Sequence, residues 1–351
     1  MSVLRDRVIQ MGMGLFGASG AHRLLAPFTR GLGAVIMFHR VRPDACNPFA
    51  PNAGLEITPA FLDALLSHLR ARSYDILTLD SALDVLRRGG TPTRRLVVLT
   101  FDDGYRDLVE HALPVLERHR APFVAYVTSA FADRAAGLWW LELEEAIRRL
   151  PDVDVMVGER RIARACGTVA EKRDAHAEIY WALRGRDETA LRETVSILAA
   201  RAGVDSLGLT GEACLDWPAI RALARHELAT IGAHSVTHAR LAKLCDGEAA
   251  GEMSESRSRI AEMTGVTPRH FCYPVGDPTS AGEREFTLAS ALGFESAVTT
   301  RPGMLFPAHG GRLHALPRLS VNGRYQSLAA FDILLSGAPF ALLNRGRRVA
   351  A

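Results

Sequence analysis

The stretch VVLTFDDGYRD, Val97 to Asp107, drives a run of apolar and β-branched residues into two adjacent carboxylates, then a glycine and an aromatic. A short apolar run bounded by glycine reads as a buried strand. The C-terminal ends of such strands are where α/β folds usually keep their chemistry. Neighbouring carboxylates repel, and a partly buried one is costly unless a cation compensates it. Asp is also a favoured N-cap, so either Asp102 or Asp103 could simply begin the next helix. Two in succession, with Gly104 loosening the turn, point instead to a metal.

Outward from this stretch the chain alternates. GAVIMFHRV (33–41) reads as a buried strand ending in His39-Arg40. Thr58-Pro59 starts an amphipathic helix with proline in its first turn. A short strand near Ile76–Leu79 and a second helix from Asp80 follow, stopped by Gly89-Gly90. Beyond the opening strand come a helix around 107–118 and the strand in PFVAYVTSAF. ELATIGAHSVTHARL, PRHFCYPVG and FESAVTT supply later strands, separated by helices in EAAGEMSESRSRIAEMTG and near 283–292. Strand and helix in alternation predict an α/β architecture with parallel strands. Between about 139 and 214 the texture changes. WWLELEEAIRRL and EKRDAHAEIYWALRGRDETALRETVSILAARAG are helical and charge-laced, and read as a helical insertion.

Composition sets limits. The 351 residues are 48% hydrophobic and 23% charged, enough for a large core. A formal charge of +3, without any nucleic-acid-binding motif, argues against a nucleic-acid partner. The five cysteines (46, 166, 214, 245 and 272) are scattered and odd in number, with no CxxC pair. They predict reduced thiols in the cytoplasm rather than a disulfide framework or a thiolate zinc site. At the N-terminus, Arg5 and Arg7 precede an apolar stretch from Val8 to Ala18 that is too short to span a bilayer. With GASGA as a cleavage site it could be a signal peptide, but Gln10 and the glycines break its apolar region. A basic amphipathic helix that packs on the domain or touches an anionic membrane surface is the preferred reading.

The second chemical signal is IGAHSVTHARL. His234 and His238 are four apart, so on a helical turn both imidazoles face one side. Two such histidines and a distant carboxylate form a familiar ligand set for a divalent metal with open positions.

TFDDGY (Thr100–Tyr105), HSVTH (His234–His238) and FCYPVG (Phe271–Gly276), with the leading VIMFHRV and the late LPRLSV (Leu316–Val321), carry a resemblance. From about Ala34 to Val321 the chain resembles the polysaccharide deacetylases, also called the NodB-homology family or carbohydrate esterase family four. The resemblance implies an α/β fold, an irregular seven-stranded (β/α) barrel with the helical insertion. The barrel domain would run over 33–325, after an N-terminal segment 1–32 and before a tail 326–351. Asp103, His234 and His238 would then hold a divalent metal, zinc foremost, with cobalt or nickel as alternatives. Asp102 would be the general base. The backbone N–H of Tyr273 would help the metal stabilise the oxyanion.

A departing amine needs a proton, and histidine is its natural donor near neutral pH. Many relatives place this acid late, in a Leu-x-His motif that His314 superficially fits. A subgroup resembling biofilm poly-N-acetylglucosamine deacetylases places it on the leading strand, which favours His39. Where relatives often carry an arginine before the third motif, this chain has Cys272. Arg318 is the candidate replacement, pairing with Asp102 and keeping it ionised, unless it is a surface residue. Cys272 has no apparent base beside it, so a nucleophilic role is not expected. Trp139 and Trp140 could stack on a sugar or pack the insertion.

These readings predict a metal-dependent hydrolase that removes N-acetyl groups from an N-acetylglucosamine-containing oligo- or polysaccharide. Chitooligosaccharides, exopolysaccharides and peptidoglycan-type glycans stay open as substrates. The alternatives are hydrolysis of a non-sugar C–N bond and a non-catalytic carbohydrate-binding barrel. The expected partner is an N-acetylated glycan, with peripheral membrane contact through the N-terminal helix. The expected location is the cytoplasm or the inner-membrane periphery rather than outside the cell.

Overall fold

All six residues from Leu96 to Phe101 are buried, as a strand covered on both faces requires. The computed structural model describes residues 14–349 apart from 15, 44–46 and 91. Among them the strands are β1 (Gly33–Phe38), β2 (Arg40–Val41), β3 (Glu56–Ile57), β4 (Asp75–Ile76), β5 (Leu96–Phe101), β6 (Phe123–Val127), β7 (Asp152–Val157), β8 (Arg160–Ala165), β9 (Ala229–Ala233), β10 (His270–Cys272), β11 (Ser296–Pro302) and β12 (Leu316–Ser320).

The main sheet runs β1-β12-β11-β10-β9-β6-β5-β4, and an additional pairing of β1 with β5 closes seven of these strands into a parallel barrel. The closing seam is in register from Gly33 opposite Leu96 to Phe38 opposite Phe101. Gly33 permits this seam, because a Cβ there would collide with the Leu96 carbonyl. The extra strand β4 pairs with Leu96 and Val97, and β6 pairs with Leu99 to Phe101.

Period-two alternation sorts the side chains of β5. Val97, Leu99 and Phe101 join the large cluster that also contains residues of helix Pro59–Ala71. Leu96 and Val98 join Val35, Val124, Tyr126, Cys272, Val298 and Leu316 in a second, smaller cluster. Continuing this register puts Thr100 and Asp102 on the barrel interior, and Leu316 puts Arg318 there from β12.

The insertion carries helices Trp139–Arg149, Val169–Arg184, Glu188–Arg201 and Ser206–Ala213. The last three of these start at side-chain caps, Thr168, Asp187 and Asp205. The segment is not wholly helical. DVDVMV and RRIARA form the antiparallel hairpin β7–β8, turning at Gly158 with φ 64°. Val153, Val155 and Val157 alternate inward along it. The residues 326–351, read as a tail, contain helices Leu328–Leu335 and Ala338–Leu343. The second of these touches helix Ala21–Thr29, which leads into β1. Arg5, Arg7 and most of the apolar stretch Val8 to Ala18 lie outside the described residues.

Candidate active site

Asp102 leaves the end of β5 pointing into the barrel and is 3% exposed. Both of its oxygens accept from Arg318, Nη1 to Oδ1 and Nη2 to Oδ2, each at 2.7 Å. Arg318 is itself buried, its Nε donating to Thr299 O at 2.8 Å and its Nη1 to Thr100 Oγ1 at 3.1 Å. It is therefore an interior residue, not a surface one. Burial pushes the Asp102 carboxyl up, but the guanidinium outweighs this and holds it below its ordinary value. Cys272 packs against the same pair, 3.5 Å from Asp102 Oδ2 and 3.1 Å from Arg318 Nη2. A carboxylate thus lies beside the thiol, contrary to the sequence reading. Burial pushes the thiol pKa up, however, so it does not become a nucleophile.

Asp103 takes a left-handed conformation, φ 70°, and Gly104 follows at 68°. That bend sends the two neighbouring carboxylates to different places. Asp103 Oδ1 lies 3.2 Å from His234 Nε2 and 3.3 Å from His238 Nε2, yet it is buried and no hydrogen bond reaches it. His234 Nδ1 lies 2.7 Å from Cys272 O, which can only accept, so its proton sits on Nδ1 and a lone pair on Nε2 faces the carboxylate.

The two histidines converge from a loop, not from the helical turn that their spacing suggested. His234 follows β9, and Ser235 and His238 both have positive φ, 63° and 62°. Glu252 holds the bend, accepting from the N–H groups of Val236 and Thr237 at 2.9 and 2.8 Å. The insertion grips its other side. Arg192 Nη2 donates to Thr237 O at 2.5 Å. Buried Arg240 donates to Arg184 O at 2.7 Å and Arg186 O at 2.9 Å, and pairs with Glu188. The Trp140 ring sits 4.7 Å from that of His238 and donates its Nε1–H to Tyr105 Oη at 2.9 Å. Trp139 packs on Tyr180. Both tryptophans are 5% exposed, so they are core of the insertion rather than a sugar platform. None of these anchors was visible in the sequence, since nothing local marks Glu188, Arg192 or Arg240 as neighbours of a histidine loop.

His39, at the end of β1, places Nε2 3.9 Å from Asp102 Oδ2 and is 18% exposed. The next residue pins the strand end: Arg40 Nε donates to Asp107 Oδ2 at 2.8 Å, and its guanidinium lies over Tyr105. His314 is elsewhere. It precedes β12, at the end of the strands opposite Asp102, with Nε2 2.7 Å from Phe294 O. Tyr273 requires a correction, because its N–H donates to Val298 O at 3.2 Å and is not free for an oxyanion. Two residues on, Val275 has φ 61°, and its N–H has no acceptor among the described residues. The proline between them was the available signal, since it removes one N–H and bends the chain.

The family model of the polysaccharide deacetylases matches residues 89–297, well over half of the chain. The chain belongs to this family. No curated protein matches it in sequence. Among solved structures it is similar to the deacetylase PplD of Streptococcus pyogenes in complex with acetate (16% identity, 86% of this chain and 96% of that chain, TM-score 0.57). It is also similar to IcaB of Ammonifex degensii (18%, 86% and 96%, 0.54) and to the BpsB deacetylase domain of Bordetella bronchiseptica (17%, 82% and 95%, 0.50). At these identities the likeness is one of fold: the irregular (β/α) barrel of the polysaccharide deacetylases. Membership supports a hydrolase acting on carbon–nitrogen bonds, with a glycan substrate.

In this chain two side-chain groups have metal-ligand spacing among the described residues, Asp103–His234–His238 and Asp102–His234–Cys272. The second fits a cation poorly. Both Asp102 oxygens already accept from a guanidinium, and the thiol stays protonated. The first fits well. One carboxylate oxygen without a hydrogen bond faces imidazole nitrogens, in a buried site where two acceptors would otherwise oppose each other.

Proposed function

We propose that the chain is a metal-dependent deacetylase that hydrolyses N-acetyl groups on N-acetylglucosamine-containing oligo- or polysaccharides. The observation that carries this reading is the division of labour between adjacent carboxylates. Asp103 faces two imidazoles, while Asp102 is held ionised by Arg318. Asp103, His234 and His238 would hold the cation, zinc foremost. When bound, such a cation lowers the pKa of water and polarises an acyl carbonyl. Asp102 accepts the proton of the attacking water, a role that requires the anion Arg318 maintains. The Val275 N–H donates to the developing oxyanion. His39, at the solvent edge and within 3.9 Å of Asp102, hands a proton to the departing amine. Arg40 and Asp107 keep its strand end in place.

Acetate release from acetylated glucosamine oligomers tests this reading. Activity is expected to vanish with chelator and return with added divalent metal. His39→Ala should lower kcat on the order of a hundredfold or more, as loss of a positioned proton donor does. His314→Ala should leave kcat within a few fold. Equal losses in the two variants would remove His39 from the mechanism. Acetate-free reaction mixtures across the glycans, with turnover of simple amides, would replace the glycan by a non-sugar substrate.

A further inference from the structure

The terminal helices carry apolar side chains that the barrel does not use. Leu24 and Phe28 of helix Ala21–Thr29 are 78% and 72% exposed, and Leu342 and Leu343 of helix Ala338–Leu343 are 67% and 65% exposed. The two helices are locked to each other. Thr29 Oγ1 donates to Ser336 O at 2.6 Å, and Gly337 leaves no room for a Cβ against Thr29 O. A large apolar surface left in water calls for a partner.

The charge around these helices says which partner. No Asp or Glu occurs between Arg7 and Pro43, nor after Asp332. In the same segments Arg23, Arg345, Arg347 and Arg348 are exposed. Arg348 lies over Phe306, and the other three have no carboxylate partner among the described residues. In the sequence, Arg7 and the residues Val8, Ile9, Met11 and Met13 around Gln10 continue the same acid-free character ahead of the first helix. Leucine and phenylalanine tips beside arginines, with no acid among them, fit the boundary of an anionic lipid surface, where apolar tips enter the acyl region and arginines meet headgroup phosphates. Among the described residues no helix is long and apolar enough to cross a membrane, so the contact would be peripheral.

We propose that helices Ala21–Thr29 and Ala338–Leu343 form one docking surface for an anionic phospholipid bilayer. Helix Ala21–Thr29 enters β1 at Gly33, whereas Asp102 binds the other end of β1 through its N–H to Phe38 O. Docking by this surface therefore leaves the Asp103–His234–His238 end of the barrel turned away from the lipid. A deacetylase so held would reach a glycan in the water layer rather than one buried in the bilayer. The docking surface stands whether or not the deacetylase reading holds, because its test requires no turnover.

The test is co-sedimentation of the full chain with vesicles of phosphatidylcholine alone and of phosphatidylcholine mixed with phosphatidylglycerol. Binding is expected to the mixed vesicles only, weakening as salt rises. The variant Arg345→Ser/Arg347→Ser/Arg348→Ser should partition on the order of a hundredfold more weakly. Leu342→Ser/Leu343→Ser and Leu24→Ser/Phe28→Ser should each reduce binding, with thermal midpoints unchanged because these side chains are exposed. Failure of the wild type to sediment with the anionic vesicles at low salt would overturn the proposal. So would unchanged binding in all three variants, or a wild-type dimer in solution that the leucine and phenylalanine variants convert to monomer.

Discussion

Asp102→Asn is expected to lower kcat for acetate release by roughly two to four orders of magnitude, the usual worth of a positioned general base, while the protein keeps its metal. The expectation follows from the bend at Asp103, φ 70°, which separates the tasks of the two carboxylates. Asn cannot accept the water's proton. It leaves Asp103, His234 and His238 untouched, with Oδ1 still 3.2 and 3.3 Å from the imidazoles. A variant that loses both turnover and metal would mean that Asp102 belongs to the ligand set with His234 and Cys272. A variant that turns over normally would remove Asp102 as the base.

The second large effect is expected at Arg318. Arg318→Met removes a guanidinium that is fully buried and makes two 2.7 Å bonds to Asp102. Taking one partner from a buried pair leaves an uncompensated charge and typically costs about 3–5 kcal/mol, because desolvation of the survivor is no longer offset. The denaturation midpoint near neutral pH should fall accordingly. The pH dependence follows from the shift of Asp102. Its pKa is lowered in the folded protein, so the pair contributes stability above the unfolded carboxyl's pKa and loses it as pH falls through the folded value. Without Arg318, burial is opposed only by the smaller effects of His234 and His39, and the pKa rises. The stability gap between wild type and variant should therefore narrow in acid, and the acid limb of the kcat profile should move to higher pH. Arg318→Lys should recover the charge but not the two-pronged geometry, giving an intermediate limb. An acid limb that stays in place in both variants contradicts Arg318 as the group that keeps Asp102 ionised.

What the sequence disclosed and what it concealed divide along chain distance. The apolar run into Asp102-Asp103 is local, and so is the alternation that puts Leu96, Val98, Thr100 and Asp102 on one face of β5. Barrel closure is not local: it depends on Gly33 meeting Leu96 and on Phe38 meeting Phe101, and only the motif order of a known family suggested it. The four-residue spacing of His234 and His238 correctly pointed to one shared face but to the wrong backbone. Left-handed residues at 235 and 238 and the Glu252 carboxylate produce the convergence, and no spacing rule carries those. Tyr273 failed as an oxyanion donor for a similar reason, because its N–H belongs to a sheet partner 25 residues away at Val298. The hairpin β7–β8 was overshadowed by the charge-rich helices around it, although DVDVMV alternates as a strand should. The grip of Arg240 and Arg192 on the histidine loop joins segments about 50 residues apart, 54 between Arg240 and Arg186. It makes the insertion part of the site's scaffold.

Metal content of the purified chain, measured beside Asp102→Asn and Asp103→Asn, tests the core of this account. A single divalent ion per chain in the wild type and in Asp102→Asn, with its loss in Asp103→Asn, is the predicted result. A wild type that takes up no divalent metal when supplied with it, or an Asp103→Asn protein that holds it as firmly as the wild type, would contradict the site described at Asp103, His234 and His238.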